Sequence, residues 1–234
     1  MTVAPEIAME AAHPYFPLGV PLPAYIANEF NGPQLVGVFA TGASVILGAA
    51  FLIINRVRPT LAKTETLTAL WFVLCGFIHF FFEGYFAYNY HQMPSRMDIF
   101  GQLWKEYALS DSRYLTQDSF VVTMEAVTAL FWGPLSFLCA GFIVTSHPMR
   151  YPLQLIISLG QFYGDVLYYA TCTFTAMVDK IHFCRPEDFY YWAYYVLCNA
   201  FWIVIPGMLM ISSVKHTGRA FAQVQKAEKA NKGK

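Results

Sequence analysis

Five stretches of this chain are apolar for long enough to cross a bilayer: 33–54, 67–90, 119–145, 152–172 and 189–213. A helix rises about 1.5 Å per residue, so some 20 apolar residues match a hydrocarbon layer about 30 Å thick. The pattern predicts an all-α, polytopic membrane protein, a five-transmembrane-helix bundle. A short amphipathic helix is predicted over 99–109, between the second and third spans, with Ile99, Leu103 and Tyr107 on one side. Three regions follow: a Pro-rich N-terminal segment (1–32), the five-helix domain (33–214) and a basic tail (215–234). In the first span, Ala40, Ser44 and Gly48 form a small-residue face suited to close helix packing. Gly133-Pro134 predicts a kink near the middle of the third.

The polar positions inside these spans carry the information. His79 and Glu83 stand four apart, on one helical face that Trp71 and Cys75 continue. A charge at mid-membrane costs about 2.5–3.5 kcal/mol on the lenient insertion scale, so both must face protein or a cavity. A structural pair pinning two helices is the plainer reading. Within a membrane, a proton-handling pair is favoured. The third span carries Glu125 with Thr128 and Trp132 on its face. The fourth carries Gln154, Ser158, Gln161, Asp165 and Tyr168 as one polar stripe, in which Gln154 and Ser158 read as interhelical hydrogen bonds. The fifth carries Tyr195, Asn199, Trp202 and Pro206 on one face. Counting rise per residue, Glu83 lies roughly 24 Å along its span and Glu125 roughly 9 Å along the antiparallel third. The polar groups of four helices can therefore meet at one level.

Composition narrows the class. Only 13% of the 234 residues are charged and 56% are hydrophobic, against about 25% charged in soluble domains. Net charge is zero, which points to no nucleic-acid partner. No Lys or Arg precedes Arg56, so the basic start of a cleaved signal peptide is missing. With the N-terminus outside, the inner segments hold ten Lys and Arg (Arg56, Arg58, Lys63, Arg150, Lys215, Arg219, Lys226, Lys229, Lys232, Lys234) and the outer ones five. This predicts a lumenal N-terminus and a cytosolic C-terminus. Cys75, Cys139 and Cys198 read as core residues, whereas Cys172 and Cys184 flank a loop and could pair in an oxidising lumen. There is no CxxC and no His-x-x-x-His, so no metal site is expected.

Two carboxylates and a histidine walled by Phe, Tyr and Trp favour a positive charge. A substrate at this depth is lipid-like, and acid–base chemistry on it means protonating a double bond to a carbocation. A carboxylate about 5 Å away contributes about 3 kcal/mol at an effective dielectric near 20, or about two decades of rate. Trp202 adds cation–π attraction.

Several motifs then resemble the emopamil-binding protein family: Cys75-Gly-Phe-Ile-His-x-x-x-Glu-Gly, Leu103-Trp-Lys-Glu-Tyr-Ala, Asp111-Ser-Arg-Tyr, Met124-Glu-x-x-Thr128, Leu130-Phe-Trp-Gly-Pro-Leu135, Gly160-Gln-x-Tyr-Gly-Asp-Val-Leu-Tyr168 and Asn199-Ala-x-Trp202. The resemblance covers about residues 67–216, plus His13-Pro-Tyr, while the loop at 173–187 departs from it. It implies a five-helix sterol Δ8–Δ7 isomerase of the endoplasmic reticulum membrane that needs no cofactor. It also implies a Δ8-sterol substrate (zymosterol- or fecosterol-like) and binding of cationic amphiphilic amines. A homodimer is compatible with the sequence, and membrane lipids surround it. The family's catalytic set matches His79, Glu83 and Glu125. Its pocket residues match Thr128, Asn199 and Trp202, and Tyr114, Met124 and Asp165 are expected beside them. In the mechanism these positions suggest, His79, oriented by Glu83, protonates C9, a cation forms at C8, and Glu125 with Thr128 helps remove the C7 proton. Two buried carboxyls can titrate as a coupled pair, so Glu125 could instead carry the first proton. The competing reading is a non-catalytic sterol- and amine-binding protein resembling the sigma-2 receptor, which has no evident need for His79.

Overall fold

A computed structural model describes residues 12–232, and every regular element among them is helical. The first span is α1, Gly32–Val57. Its start is set by a capping box: the Gln34 amide N–H donates to Asn31 Oδ1 at 3.0 Å, and the Asn31 N–H donates to Gln34 Oε1 at 3.0 Å. Only Leu35 and Ile54 of α1 are buried. The expected close packing of Ala40, Ser44 and Gly48 is not found: all three are exposed, and a side chain added at Gly48 would meet nothing. The helix touches its neighbours mainly near its ends, against α2 and α4, which leaves that face open.

The second span is one continuous helical run, Lys63–Ser95. It is built from α2 (Lys63–Phe77), a π-helical turn (Ile78–Glu83), α3 (Gly84–Asn89) and a 3-10 end (Tyr90–Ser95). The third, Ser119–Val144, likewise joins α5 (Ser119–Val127) to α6 (Gly133–Val144) through a π turn, Thr128–Trp132. The kink expected at Gly133-Pro134 is taken up in that turn. Pro134 has no N–H to give the preceding turn, and the Gly133 N–H donates to the Thr128 carbonyl five residues back. The two π turns pack on each other. Gly133 lies so close to Phe80 that an added Cβ would sit 2.8 Å from its Cβ and 2.9 Å from its backbone nitrogen.

Among the described residues, four helices are long and apolar enough to cross a membrane: Gly32–Val57, Lys63–Ser95, Ser119–Val144 and Tyr190–Lys232. The fourth predicted stretch is α7, Arg150–Val178, which is long but more polar. It packs along α8, Asn199–Lys232, and α8 follows a third π segment, Tyr190–Cys198. The helix runs unbroken to Lys232 through the polar tail.

Between the second and third spans lies α4, Ile99–Tyr107, capped by Asp98. Its polar side chains are buried, and they hold the Pro-rich N-terminal segment. Gln102 Oε1 accepts from the N–H groups of Glu29 (2.9 Å) and Phe30 (3.1 Å). Lys105 Nζ donates to the Ile26 carbonyl at 2.6 Å, and the Tyr15 hydroxyl donates to the Lys105 carbonyl at 3.0 Å. Burial pushes the Lys105 ammonium down to about 8. Cys172 and Cys184 are both free thiols.

Replacing Gly133 with Ala drives a methyl group into Phe80 and forces the two π turns apart. Overpacking of this kind costs about 1–3 kcal/mol. The melting midpoint of purified Gly133→Ala in detergent is expected to fall below wild type. An unchanged midpoint would show that the two spans are not closely apposed there.

Candidate active site

The first π turn sets the cluster. His79 is 2% exposed and its Nδ1 lies 2.8 Å from Glu83 Oε2. On its other side, His79 Nε2 lies 2.9 Å from Gln161 Nε2 of α7 and 3.5 Å from Trp202 Nε1 of α8. Trp202 stands edge-on to the imidazole, ring centroids 6.1 Å apart, and tilts against Trp71 at 5.6 Å. Both ring nitrogens are therefore engaged. The indole N–H is only a donor, which fits an unprotonated Nε2 and a proton on Nδ1, donated to Glu83.

Glu125 is buried on α5, near enough to Glu83 and His79 for their charges to interact. Two carboxyl groups can hydrogen-bond to each other only with a proton between them. Glu125 Oε1 also accepts from the Tyr114 hydroxyl at 2.8 Å. So each carboxyl is aimed from the outside, Glu83 by His79 and Glu125 by Tyr114.

Tyr114 is itself fixed. Its ring stacks on Trp104 with centroids 4.9 Å apart. The preceding residue, Arg113, is buried in a pair with Asp111, its Nη2 2.6 Å from Asp111 Oδ2. Arg113 also donates to Thr171 Oγ1 at 3.0 Å and lies over the Tyr168 ring at 4.9 Å. The Asp111 charge beside it holds the guanidinium well above its ordinary range.

The remaining expected site residues divide. The Thr128 hydroxyl donates to the Met124 carbonyl at 2.7 Å, one turn back, and so is committed to the backbone. Met124 packs half-buried against the aromatic core. Asn199 Nδ2 donates to the Tyr195 carbonyl (2.7 Å) and to the Tyr107 hydroxyl (3.0 Å). Asp165 is buried on the same face of α7 as Gln161, but no hydrogen bond or ion pair ties it to His79, Glu83 or Glu125. The structure thus brings together His79, Glu83, Glu125, Tyr114 and Trp202, and leaves Thr128, Met124, Asn199 and Asp165 outside that network. Two contacts escaped the sequence reading: Gln161 on His79, and Tyr107 on Asn199. The Gln161 signal was present, as a position on the α7 stripe at the level of the second-span histidine. Among the described residues no three His, Cys, Asp or Glu side chains are gathered as a metal ion would need.

Fold and site define a helical membrane protein with a buried, hydrogen-bonded acid–base cluster. Residues 99–213 match the family model EXPERA (EXPanded EBP superfamily). The chain is 38% identical over 211 residues to the 3-beta-hydroxysteroid-Delta(8),Delta(7)-isomerase of Rattus norvegicus, covering 89% of this chain and 90% of that one. It is 38% identical to the Mus musculus protein of the same name over 87% and 88% of the two chains. It is 34% identical to a probable 3-beta-hydroxysteroid-Delta(8),Delta(7)-isomerase of Oryza sativa subsp. japonica over 89% and 94%. The chain belongs to this EBP family.

Substituting Asn for Asp111 leaves Arg113 buried without its anion. Breaking one side of a buried pair costs roughly 3–5 kcal/mol. Thermal unfolding of Asp111→Asn is expected to show a loss on that scale, most of it regained in the Asp111→Asn/Arg113→Met double variant. A double variant as unstable as the single one would show that the pair's charge is not what matters.

Proposed function

We propose that this chain is a sterol Δ8–Δ7 isomerase, working without a cofactor in the endoplasmic reticulum membrane. The relatives' names support the activity. The observation that carries the mechanism is His79 closed off at both nitrogens, beside Glu83 and the buried Glu125. Direct transfer from His79 to a sterol would have to break one of those contacts. We therefore assign the proton to the carboxyl pair and make His79 the group that orients Glu83. This departs from the sequence expectation that His79 is the donor.

The pair's proton goes to C9. The C8=C9 π electrons form the new C–H bond and leave a cation at C8. The C7–H bond then breaks, its electrons form C7=C8, and a carboxylate takes the proton. One proton is given and one is taken, so the pair ends as it began. While the cation exists, both carboxylates are ionised beside it. At about 5 Å each contributes about 3 kcal/mol at an effective dielectric near 20. Trp202 stands with its edge and N–H toward His79, and its ring adds cation–π attraction for a cationic ligand in this reading.

In this reading α7 is a fifth span. At 29 residues it is about 43 Å long. The polar residues that lower its hydropathy, Gln154, Ser158, Gln161 and Asp165, are buried against neighbouring helices. The basic residues of the tail and of the loop after α1 support a cytosolic side for those ends and a lumenal N-terminus.

Purified protein in detergent is expected to convert a Δ8-sterol to its Δ7 isomer, with deuterium at C9 when the reaction runs in D2O. Glu83→Gln and Glu125→Gln are each expected to lose at least about two decades of rate. Binding without conversion, or product without label, would remove the protonation route.

Lipophilic tertiary amines are expected to compete with sterol, because they carry permanently the charge that the substrate acquires only at the barrier. Their affinity should drop further in Glu125→Gln than that of a neutral carbon analogue. Equal losses in a calorimetric comparison would mean that the carboxylates only hold the fold.

A further inference from the structure

The α7 stripe contains a residue whose place in the cluster the mechanism above leaves unexplained. Gln161 is 4% exposed, and its Nε2 lies 2.9 Å from His79 Nε2. Gln161 Oε1 is buried without a partner. An amide can be turned half round, so two hydrogen-bond networks are open at this point.

In the first, the amide NH2 donates to an unprotonated His79 Nε2. The ring proton is then on Nδ1 and is donated to Glu83. In the second, Gln161 Oε1 accepts from a protonated Nε2. Nδ1 is then bare, and Glu83 must supply the proton between them. The Trp202 N–H decides between the two. It can only donate, and it points at Nε2 from 3.5 Å. A protonated Nε2 would set two N–H groups against each other. In the first network the unpartnered carbonyl oxygen faces no such clash, only the loss of one hydrogen bond.

We propose that Gln161 is a positioning residue that holds His79 in its Nδ1–H tautomer and thereby keeps Glu83 a hydrogen-bond acceptor. This rests on the isomerase reading. It deepens it by dividing the roles within the carboxyl pair. Glu83, accepting from His79, is the member held as carboxylate. Glu125 carries the shared proton and delivers it to C9. Gln161 touches neither sterol nor Glu83, and it acts through the ring of His79. Trp202 supports the same tautomer from the other side, at a longer distance.

The direct measurement is 15N NMR of histidine-labelled wild type in detergent, with the His79 signals assigned by their loss in His79→Asn. Nδ1 protonated and Nε2 bare is the expected result. A protonated Nε2 in wild type overturns the proposal, and no variant is needed for that outcome. Gln161→Leu keeps the volume and removes both amide groups. It is expected to give a mixture of His79 tautomers and a kcat lowered at least about tenfold, with KM within about twofold. Gln161→Leu with the wild-type tautomer and wild-type kcat also overturns it. Should wild type convert no Δ8-sterol, the isomerase reading falls, while the nitrogen spectrum of the same sample still upholds or overturns the tautomer.

Discussion

A backbone carbonyl inside an apolar layer has no water to turn to, and each one left unpaired costs free energy. The three π segments of this chain raise that problem, because a π turn disturbs the regular ladder of i to i+4 bonds. Side chains answer it, some from other helices and some from the same run. The Trp104 indole N–H donates to the Phe82 carbonyl at 3.0 Å, within the first π turn. The Tyr169 hydroxyl lies 2.9 Å from the Val196 carbonyl, and Asn199 Nδ2 lies 2.7 Å from that of Tyr195, both within the third. Thr128, at the start of the second, closes back on Met124. Two of these bonds cross between helices, Trp104 of α4 to the second span and Tyr169 of α7 to the segment before α8, so they tie neighbouring helices together as they repair the backbone.

The same bonds tie both carboxyls to one framework. Trp104 repairs the turn that carries Glu83 and at the same time stacks on Tyr114, which aims Glu125. Tyr114 follows Arg113, whose position is fixed by Asp111, Thr171 and Tyr168. A shift in α4 or in the Asp111 loop would move both carboxyls together. The buried polar face of α4 in turn depends on the N-terminal segment, which Gln102 and Lys105 hold by its backbone. Residues far from the chemistry thus set the separation of two carboxyl groups.

What could be read from the sequence follows from which signals are local. The apolar runs, the i to i+4 pair of His79 and Glu83 and the level at which Glu125 stands all come from one residue's neighbours along one helix. The helical class and the meeting of His79, Glu83 and Glu125 were legible for that reason. The π turns were not, since they arise where two spans approach at Gly133 and Phe80, a contact between segments far apart in the chain. Nor was the commitment of Thr128 and Asn199 to backbone carbonyls, because that need exists only once the π turns exist. The small-residue face of α1 misled: the spacing was right for packing, but within the chain no helix covers it. The Gln161–His79 contact lay between. Its stripe was visible, yet only the rotation of α7 decides which stripe member meets the imidazole.

A proton shared by Glu83 and Glu125, as the proposed mechanism has it, would also solve an electrostatic problem. A site with two ionised carboxylates would need two cations, or leave charge buried in an apolar setting at a cost of several kcal/mol per ion. The nearby cations are committed elsewhere: Arg113 to Asp111, and Lys105 to the Ile26 carbonyl. One proton held between Glu83 and Glu125 would remove half the charge without any cation, and the His79 and Tyr114 donors would stabilise what remains. In the proposed mechanism a neutral sterol then enters a site bearing one net negative charge. The second charge appears only as the proton leaves for carbon, at the moment a positive charge forms beside it. The same proton that makes the resting cluster tolerable in a membrane makes the cluster fit its transition state better than its substrate, which is the condition for catalysis.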